Sequence, residues 1–452
     1  TILAEMALAC CAAPPPEKTE GSPLIAGSSV QHSSAAHAFA NQLKCLIGVG
    51  SLTLPYVTSK VGLSMSLIGV LFLCYCSWEG IRLITYCAAH ARRQQRGVLP
   101  PTGLLGGKGG GVALPPDALL AKEGGGGDGE GSDLWRAVAR SAYGSAGWGV
   151  TICVLTLAQV GVASSYVDQT RATFETFHFF KGGPLNALLW ATLSLLCLAV
   201  RPGMRLVAYF STLALLVYLY IYVLLAYYSG PAGVGHRTGE LKQFELAGIG
   251  AWYGPALFAF EGMGTAVSIY ESMGHSEPAP FLRIATASYM IGGLVYCFVM
   301  AVGYVSYGDG TRHAVIDNFP DTPLGRSATY IVCVALICSY ILQMTPIFKI
   351  VEDVLMPYYA GPSKFDAIAR GAVRSAIVAG TVLLSALVPD MEKMVALTGA
   401  FAFSLLCFVL PGLFYIKLRP DDGGKYERFV ATALVPLGVV GAVVGVIGVI
   451  TD

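Results

Sequence analysis

Long apolar stretches, separated by short polar segments, dominate the amino-acid sequence. A helix that crosses a membrane needs about 20 mostly apolar residues. The apolar runs do not alternate with polar positions, so membrane-spanning β-strands are not expected. The pattern predicts an all-α integral membrane protein with eleven transmembrane helices, near residues 37–59, 63–88, 147–170, 184–200, 204–228, 247–273, 284–306, 327–349, 372–389, 394–416 and 429–450.

The composition agrees with this prediction. Charged residues make up 13% of the 452 residues, whereas soluble domains carry roughly a quarter. Apolar residues make up 54%, and the mean hydropathy is +0.62. These values exclude a disordered chain and an ordinary soluble enzyme, and a net charge of +1 indicates no nucleic-acid partner. The lipid bilayer is the expected surrounding.

The basic residues between the spans predict an orientation. With a cytoplasmic N-terminus, 19 of the 29 Lys and Arg residues would lie on the cytoplasmic side and 8 on the other side. Cytoplasmic loops carry the excess of Lys and Arg in membrane proteins. We therefore expect the N-terminus in the cytoplasm, with an odd number of spans placing Asp452 on the opposite side.

Two low-complexity stretches divide the chain. Residues 1–36 are rich in Ala, Pro and Ser and are expected to form a disordered tail. Residues 37–450 form the predicted transmembrane domain, which contains a Gly-rich cytoplasmic linker at 91–132. Asp133 is expected to cap a short helix, Leu134–Tyr143, that leads into the third span.

Two predicted spans contain the same unusual string in mid-helix. Gly48–Ser51 in the first span and Gly262–Thr265 in the sixth both read Gly-x-Gly-Ser/Thr. Glycine destabilises a helix interior by up to about 1 kcal/mol and lets the backbone leave helical geometry. The second site lies five spans after the first. Because five is an odd number, a five-span unit that is repeated once crosses the membrane with inverted topology the second time. The pattern predicts a LeuT-type 5+5 inverted repeat with broken helices one and six, unwound at 48–51 and 261–265.

Broken helices suit a zwitterionic amino acid. Half-helix N-termini attract a carboxylate, and free carbonyl groups attract an ammonium group or a cation. The alternative is that these glycines only allow close helix packing. On the first interpretation, the candidate substrate-binding residues are Ile47, Gly48, Val49, Gly50, Ser51, Tyr166, Phe258, Phe260 and Gly262. The small residues at the breaks favour a small substrate.

Ionisable residues within spans are functional candidates because their burial is costly. Glu261 lies halfway along the sixth span and is the expected coupling site, with a structural hydrogen bond as the alternative. Glu79 with Arg82, and Asp168 with Arg171, lie three residues apart and are interpreted as surface pairs.

Several motifs resemble the amino acid/auxin permease family, especially its proton-coupled and vacuolar amino acid transporters. Leu43–Pro55 resembles the L-K-x-x-I-G-x-G-x-L-x-L-P signature. In span three, Gln159–Tyr166 is similar to Q-x-G-x-x-x-x-Y. In span six, Phe258–Gly262 is similar to F-A-F-E-G and Ile269–Met273 to I-Y-x-S-M. In span eight, Ser339–Gln343 is similar to S-Y-x-L-Q.

The resemblance implies eleven spans, a cytoplasmic N-terminus and symport of amino acids with protons or sodium. Proton-coupled animal members carry a histidine three residues before the lysine that matches Lys44; here that position is Asn41, and His37 lies one turn earlier. Glu261, Asn41 and His37 are therefore the ion-coupling candidates for a proton. Sodium is the alternative, held by carbonyl groups of the first span and a hydroxyl such as that of Ser339.

These observations predict a secondary active transporter of small neutral amino acids, working by proton symport. The alternative is a transporter fold that serves as an amino acid sensor or as an accessory subunit of a larger membrane complex. An enzyme is not expected, and neither a cofactor nor a metal site is predicted. The resemblance is compatible with the plasma membrane or with a vacuolar or lysosomal endomembrane, and the sequence leaves protein partners open.

Overall fold

The computed structural model describes residues 33–95, 133–175, 182–199, 204–230, 239–274, 277–355, 364–388, 391–420 and 424–451. The regular structure of these residues is helical. In chain order the α-helices are α1 Ala35–Leu46, α2 Val49–Val61, α3 Leu63–Gln95, α4 Asp133–Glu175, α5 Gly183–Ala199, α6 Met204–Ser229, α7 Ile249–Phe258, α8 Met263–Ser272, α9 Ala279–Tyr307, α10 Pro323–Leu355, α11 Lys364–Leu387, α12 Met391–Leu397, α13 Leu410–Leu418 and α14 Lys425–Thr451. Two π-helical segments, Thr398–Phe403 and Leu405–Val409, connect α12 to α13.

Most predicted spans coincide with long helices. Among the described residues, eight helical stretches are long and apolar enough to cross a membrane by length and composition. Helix α5 is apolar but shorter, and the remaining two predicted spans are the interrupted pairs α1–α2 and α7–α8. The all-helical membrane architecture is confirmed. The count of eleven spans and the inverted repeat stay predictions.

Only the two ends of the predicted Gly-rich linker can be compared with the described helices. Residues 91–95 continue helix α3, and the rest of the linker at 96–132 lies outside the described residues, as do residues 1–32 of the tail. Helix α4 contains a kink at Tyr143 and Gly144, where Gly144 has a φ of +64° that side chains larger than hydrogen disfavour. The predicted short helix, Leu134–Tyr143, therefore ends at this kink.

The interpretation of Glu79 and Arg82 as a surface pair was wrong. The Glu79 side chain is fully buried, and Arg82 donates to it across 2.9 Å. The same guanidinium group also contacts Glu427 on α14 at 2.9 Å, and the Tyr426 hydroxyl donates to Glu79 across 2.8 Å. The spacing along one helix could not reveal these partners, which come from the other end of the chain.

Two further ion pairs lie at the contacts between helices. Asp168 and Arg171, the other predicted surface pair, are mostly buried, and Arg171 also donates to the Ser385 carbonyl on α11 across 3.0 Å. On α10, Glu352 accepts from Arg374 of α11 at 2.6 Å. Helix α11 is thus tied to both α4 and α10 by charge-assisted hydrogen bonds, which are among the stronger ones in proteins.

Candidate transport site at two helix breaks

The first helix break lies at Ile47 and Gly48. Helix α1 ends at Leu46, Gly48 has an extended backbone, and α2 starts at Val49. The predicted unwound segment was 48–51, but Gly50 and Ser51 are already helical. The Ser51 amide and hydroxyl both donate to the Gly48 carbonyl, at 3.0 Å and 2.6 Å, so the helix restarts directly after the break.

The second break lies at residues 259–262, between α7 and α8. Its chain runs through turns, with the Phe260 amide donating to the Leu257 carbonyl at 2.9 Å. The predicted unwound segment was 261–265, but α8 begins at Met263. The Thr265 hydroxyl donates to the Gly262 carbonyl across 3.3 Å, which stabilises the new helix start one turn earlier than predicted.

The two breaks lie directly against each other. A methyl group added at Gly50 would come within 2.8 Å of the Ala259 Cα, and one added at Gly48 would come within 3.2 Å of the Glu261 carboxylate. Carbon atoms in van der Waals contact prefer about 3.5–4.0 Å. Gly50 is therefore required by close approach to the backbone of the second break, whereas a methyl group at Gly48 would press on the Glu261 side chain.

Glu261 is the central ionisable residue of this contact. It is 6% exposed, and the Tyr166 hydroxyl on α4 donates to its Oε1 atom across 3.1 Å. Its second carboxylate oxygen has no hydrogen-bond partner among the described residues. Lys44 on α1 is also buried, and its ammonium nitrogen lies 5.8 Å from the centre of the Tyr166 ring. The Tyr166 ring therefore lies near a buried cation, and its hydroxyl binds a buried acid.

Helix α6 contributes Tyr222, which the sequence analysis did not select. Its hydroxyl lies 2.6 Å from Ser51 Oγ. Because the Ser51 proton is already given to Gly48, Tyr222 acts as the donor in this pair. No sequence signal marked Tyr222, since the span around it contains several other tyrosines in an apolar run.

The two phenylalanines of the predicted site point in different directions. Phe258 approaches the position of a Gly50 methyl group to 3.1 Å and packs edge-on against Phe403, with ring centres 5.8 Å apart. Phe260 packs instead against Tyr289 and Tyr296 of α9, with ring centres 6.2 Å and 5.1 Å apart. Phe258 thus contacts the first break, whereas the Phe260 ring turns toward α9.

The remaining candidates lie at various distances from the breaks. Ile47, Val49 and Gly262 are buried at the breaks themselves. Asn41 is buried on α1, and neither of its amide atoms has a partner among the described residues. His37 is in the first turn of α1, roughly 14 Å from the break along the axis at about 1.5 Å per residue. Ser339 is buried on α10, and no described hydrogen bond connects it to α1.

Gln42 is a further polar residue that the sequence analysis missed. It is fully buried, and neither polar atom of its amide has a partner among the described residues. Its Nε2 atom lies 3.0 Å from the position of a methyl group added at Gly262. Gln42 thus places an unpaired amide group beside the second break, where its hydrogen-bonding capacity is open to a ligand or water.

A small cavity lies next to the start of α8. It has a volume of about 20 Å³, and its lining includes Trp135, Gln159, Gly264 and Ser268. A buried water needs roughly 10–15 Å³ by this measure, so the cavity is large enough for water and too small for an amino acid. The Trp135 indole donates to the Gly264 carbonyl across 3.4 Å at this point.

Comparison with known proteins finds amino acid transporters among the relatives of this chain. "Vacuolar amino acid transporter 3" of Saccharomyces cerevisiae is 28% identical over 322 residues, which cover 68% of this chain and 46% of the yeast protein. The chain thus spans about half the length of that relative. "Amino acid transporter AVT1B" of Arabidopsis thaliana is 24% identical over 428 residues, covering 92% of this chain and 70% of the plant protein.

The solved structures include a manganese transporter of Eremococcus coleocola in complex with an aromatic bis-isothiourea compound. It has a TM-score of 0.45 and 10% identity, and the match covers 94% of this chain and 97% of that one.

The family comparison covers most of the chain. Residues 118–451, about three quarters of the sequence, match the family described as "Transmembrane amino acid transporter protein". This family consists of membrane transporters and not of enzymes. The match begins beyond the first break and includes the whole second break with Glu261. The chain therefore belongs to the family of transmembrane amino acid transporter proteins.

Proposed function

We propose that this protein is a secondary active transporter of small neutral amino acids and that it works by proton symport. The observation that carries the proposal is the position of Glu261, a buried acid at the contact between two broken helices. One of its oxygens is held by Tyr166 and the other has no described partner. Such an acid can exchange a proton with a substrate-filled cavity when the helices move apart.

The close packing of the breaks supports a small substrate. Gly48 and Gly50 lie against Glu261 and Ala259. A substrate with a larger side chain must therefore move the two breaks further apart. Alanine, glycine and proline are small neutral amino acids whose side chains need little space. The breaks would offer α8 amide groups to the carboxylate and free carbonyl groups to the ammonium group.

The proposed orientation has the N-terminus in the cytoplasm. The bias of basic residues supports it. A vacuolar or lysosomal type of endomembrane is the proposed location, supported by the printed name of the yeast relative. The plasma membrane is the alternative.

A second candidate function is an amino acid sensor or an accessory subunit of a larger membrane complex. The observation in its favour is that side chains already fill the contact between the breaks, with Ser51 bonded to both Gly48 and Tyr222. A sensor needs to bind an amino acid but does not need to release it on the opposite side. Binding and net transport must therefore be measured separately.

The test uses the full chain, purified and reconstituted in proteoliposomes. Labelled alanine, glycine or proline is offered with an imposed pH gradient, with a sodium gradient and with neither. Accumulation above equilibrium under the pH gradient alone, abolished by a protonophore, is the expected result. Accumulation driven only by sodium would overturn proton symport. A substrate-induced rise of the melting temperature without transport would favour the sensor.

A further inference from the structure

A single hydroxyl group connects the two helix breaks. Tyr296 on α9 is fully buried, and its hydroxyl contacts the carbonyl oxygen of Leu46, the last residue of α1. The same hydroxyl lies 2.5 Å from the carbonyl oxygen of Ala259, the residue that follows α7. The ring is held in place by the edge-on contact with Phe260. One side chain therefore reaches the carbonyl ends of both interrupted helices.

These two carbonyl groups have a particular need for a partner. The last carbonyl groups of a helix have no partner within that helix, and the interior of a membrane provides no water to replace it. The helix dipole also concentrates partial negative charge at this end. In both breaks the helix ends in this way, so two negative helix ends converge on the Tyr296 hydroxyl.

Two converging carbonyl groups are the arrangement that a small cation can bridge in transporters with broken helices. Here the position between them is taken by a phenol. A phenol carries one proton and can donate it to only one carbonyl oxygen at a time, or share it unequally between two. The hydroxyl therefore compensates the partial negative charge of the two helix ends, although it carries no net charge itself and no bound cation is needed.

We propose that Tyr296 is a positioning residue that holds the two breaks together in place of a coupling cation, so that the site assembles without sodium. This inference rests on the proposed function, because it concerns the same site and its coupling ion. On this proposal, Tyr296 is the residue that allows transport without sodium. Removal of its hydroxyl oxygen should leave the Leu46 and Ala259 carbonyl groups available to an added cation.

Tyr296→Phe removes the hydroxyl and keeps the ring. Tyr289→Phe is the matched control, because Tyr289 lies on the same helix, is buried, and stacks on Phe260, but its hydroxyl has no described partner. Uptake of labelled alanine into proteoliposomes under a pH gradient is measured with sodium or with a large organic cation outside. We expect the wild type and Tyr289→Phe to behave alike in both media, within about twofold.

For Tyr296→Phe, we expect the KM to rise at least fivefold in sodium-free medium and to fall again when sodium is added. A general loss of packing would not create a response to sodium, so this readout separates positioning from a merely structural role. An unchanged KM, or a raised KM that sodium does not lower, would overturn the proposal, as would a wild type that requires sodium.

A second measurement does not depend on transport. The melting temperatures of the three purified proteins are recorded with sodium and with the organic cation. We expect sodium to raise the melting temperature of Tyr296→Phe by several degrees and to leave the other two unchanged. Stabilisation of the wild type by sodium would overturn the role of Tyr296 even if transport is observed. Absence of wild-type transport would instead contradict the proposed function while this measurement still decides the role of Tyr296.

Discussion

Tyr166 donates a 3.1 Å hydrogen bond to Glu261, and this bond joins the C-terminal half of α4 to the break between α7 and α8. It connects the part of α4 that follows the kink at Gly144 to the interrupted helix pair that carries the buried acid. The contact is also close to the first break, since a methyl group added at Gly48 would lie 3.7 Å from the Tyr166 hydroxyl. Three helical segments thus meet at one hydrogen bond.

The first prediction concerns this bond. Tyr166→Phe removes the donor to Glu261 and keeps the ring. A hydrogen bond between neutral groups contributes roughly 0.5–1.5 kcal/mol, so we expect the KM for amino acid uptake to rise about 2- to 10-fold. Tyr415→Phe is the control, because Tyr415 is equally buried and its hydroxyl has no described partner. A KM equal to that of the control would show that the bond does not position Glu261 for binding.

The second prediction concerns the contact between the breaks. Gly50→Ala would place a methyl group 2.8 Å from the Ala259 Cα, a backbone atom that cannot rotate away. Overpacking of this kind costs about 1–3 kcal/mol. We expect a lower melting temperature and a loss of most uptake.

Gly380→Ala is the matched control, because no atom lies within 4 Å of its added methyl group. This substitution should leave both the melting temperature and uptake close to wild type. Equal behaviour of the two variants would contradict the close approach of the breaks.

The third prediction concerns the buried ion network of α3 and α14. Arg82→Met leaves the fully buried carboxylate of Glu79 without its cation. Breaking a buried pair on one side costs roughly 3–5 kcal/mol. We expect a marked fall of the melting temperature in detergent.

Arg93→Met is the control, because its partner Glu277 is 71% exposed and such pairs contribute at most about 1 kcal/mol. If both arginine variants melt at the same temperature, the network around Glu79 is not stabilising.

The sequence identified the places where the helices break, but it did not identify what faces the breaks. Glycine strings within apolar spans marked both positions to within a few residues, because backbone freedom is a local property. Side-chain hydrogen bonds to the Gly48 and Gly262 carbonyls accompany the restart of each helix, and a spacing rule does not contain such bonds.

Residues supplied by distant helices were the least predictable. Tyr222 and Tyr296 each donate to a break from another helix, and both lie in apolar spans where tyrosine is frequent. The buried network of Glu79 was misinterpreted for the same reason, since Glu427 is more than 300 positions away in the chain. Local patterns predicted helices and breaks, whereas the partners were set by tertiary packing.

The fourth prediction concerns topology. The excess of basic residues in alternate loops predicts that the linker 91–132 faces the cytoplasm and the loop around Glu240 faces the opposite side. Gly126→Cys and Glu240→Cys are therefore compared, with an impermeant thiol reagent, in sealed cells that are made to carry the protein in the plasma membrane. We expect labelling of the cysteine at position 240 from outside and none at position 126 until the membrane is opened. Labelling of position 126 from outside would reverse the orientation.

The last prediction concerns coupling through Glu261. A charged acid at the centre of a span costs on the order of 2.5–3.5 kcal/mol on insertion scales, which favours a neutral, protonated carboxyl group while the site is closed. Glu261→Gln keeps the shape and the oxygen that accepts from Tyr166, but it cannot release a proton. We expect it to abolish accumulation driven by a pH gradient and to leave exchange of amino acids across the membrane partly intact.

The control for Glu261→Gln is Glu277→Gln, because Glu277 is largely exposed and lies outside the breaks. Because Lys44 is buried beside Tyr166 at the same site, the double variant Lys44→Met with Glu261→Gln is examined for exchange if the single variant is unstable. Preserved exchange without accumulation would assign the coupling proton to Glu261. Accumulation at the wild-type level by Glu261→Gln would assign the proton to another residue, and His37 on α1 would then be the next residue to substitute.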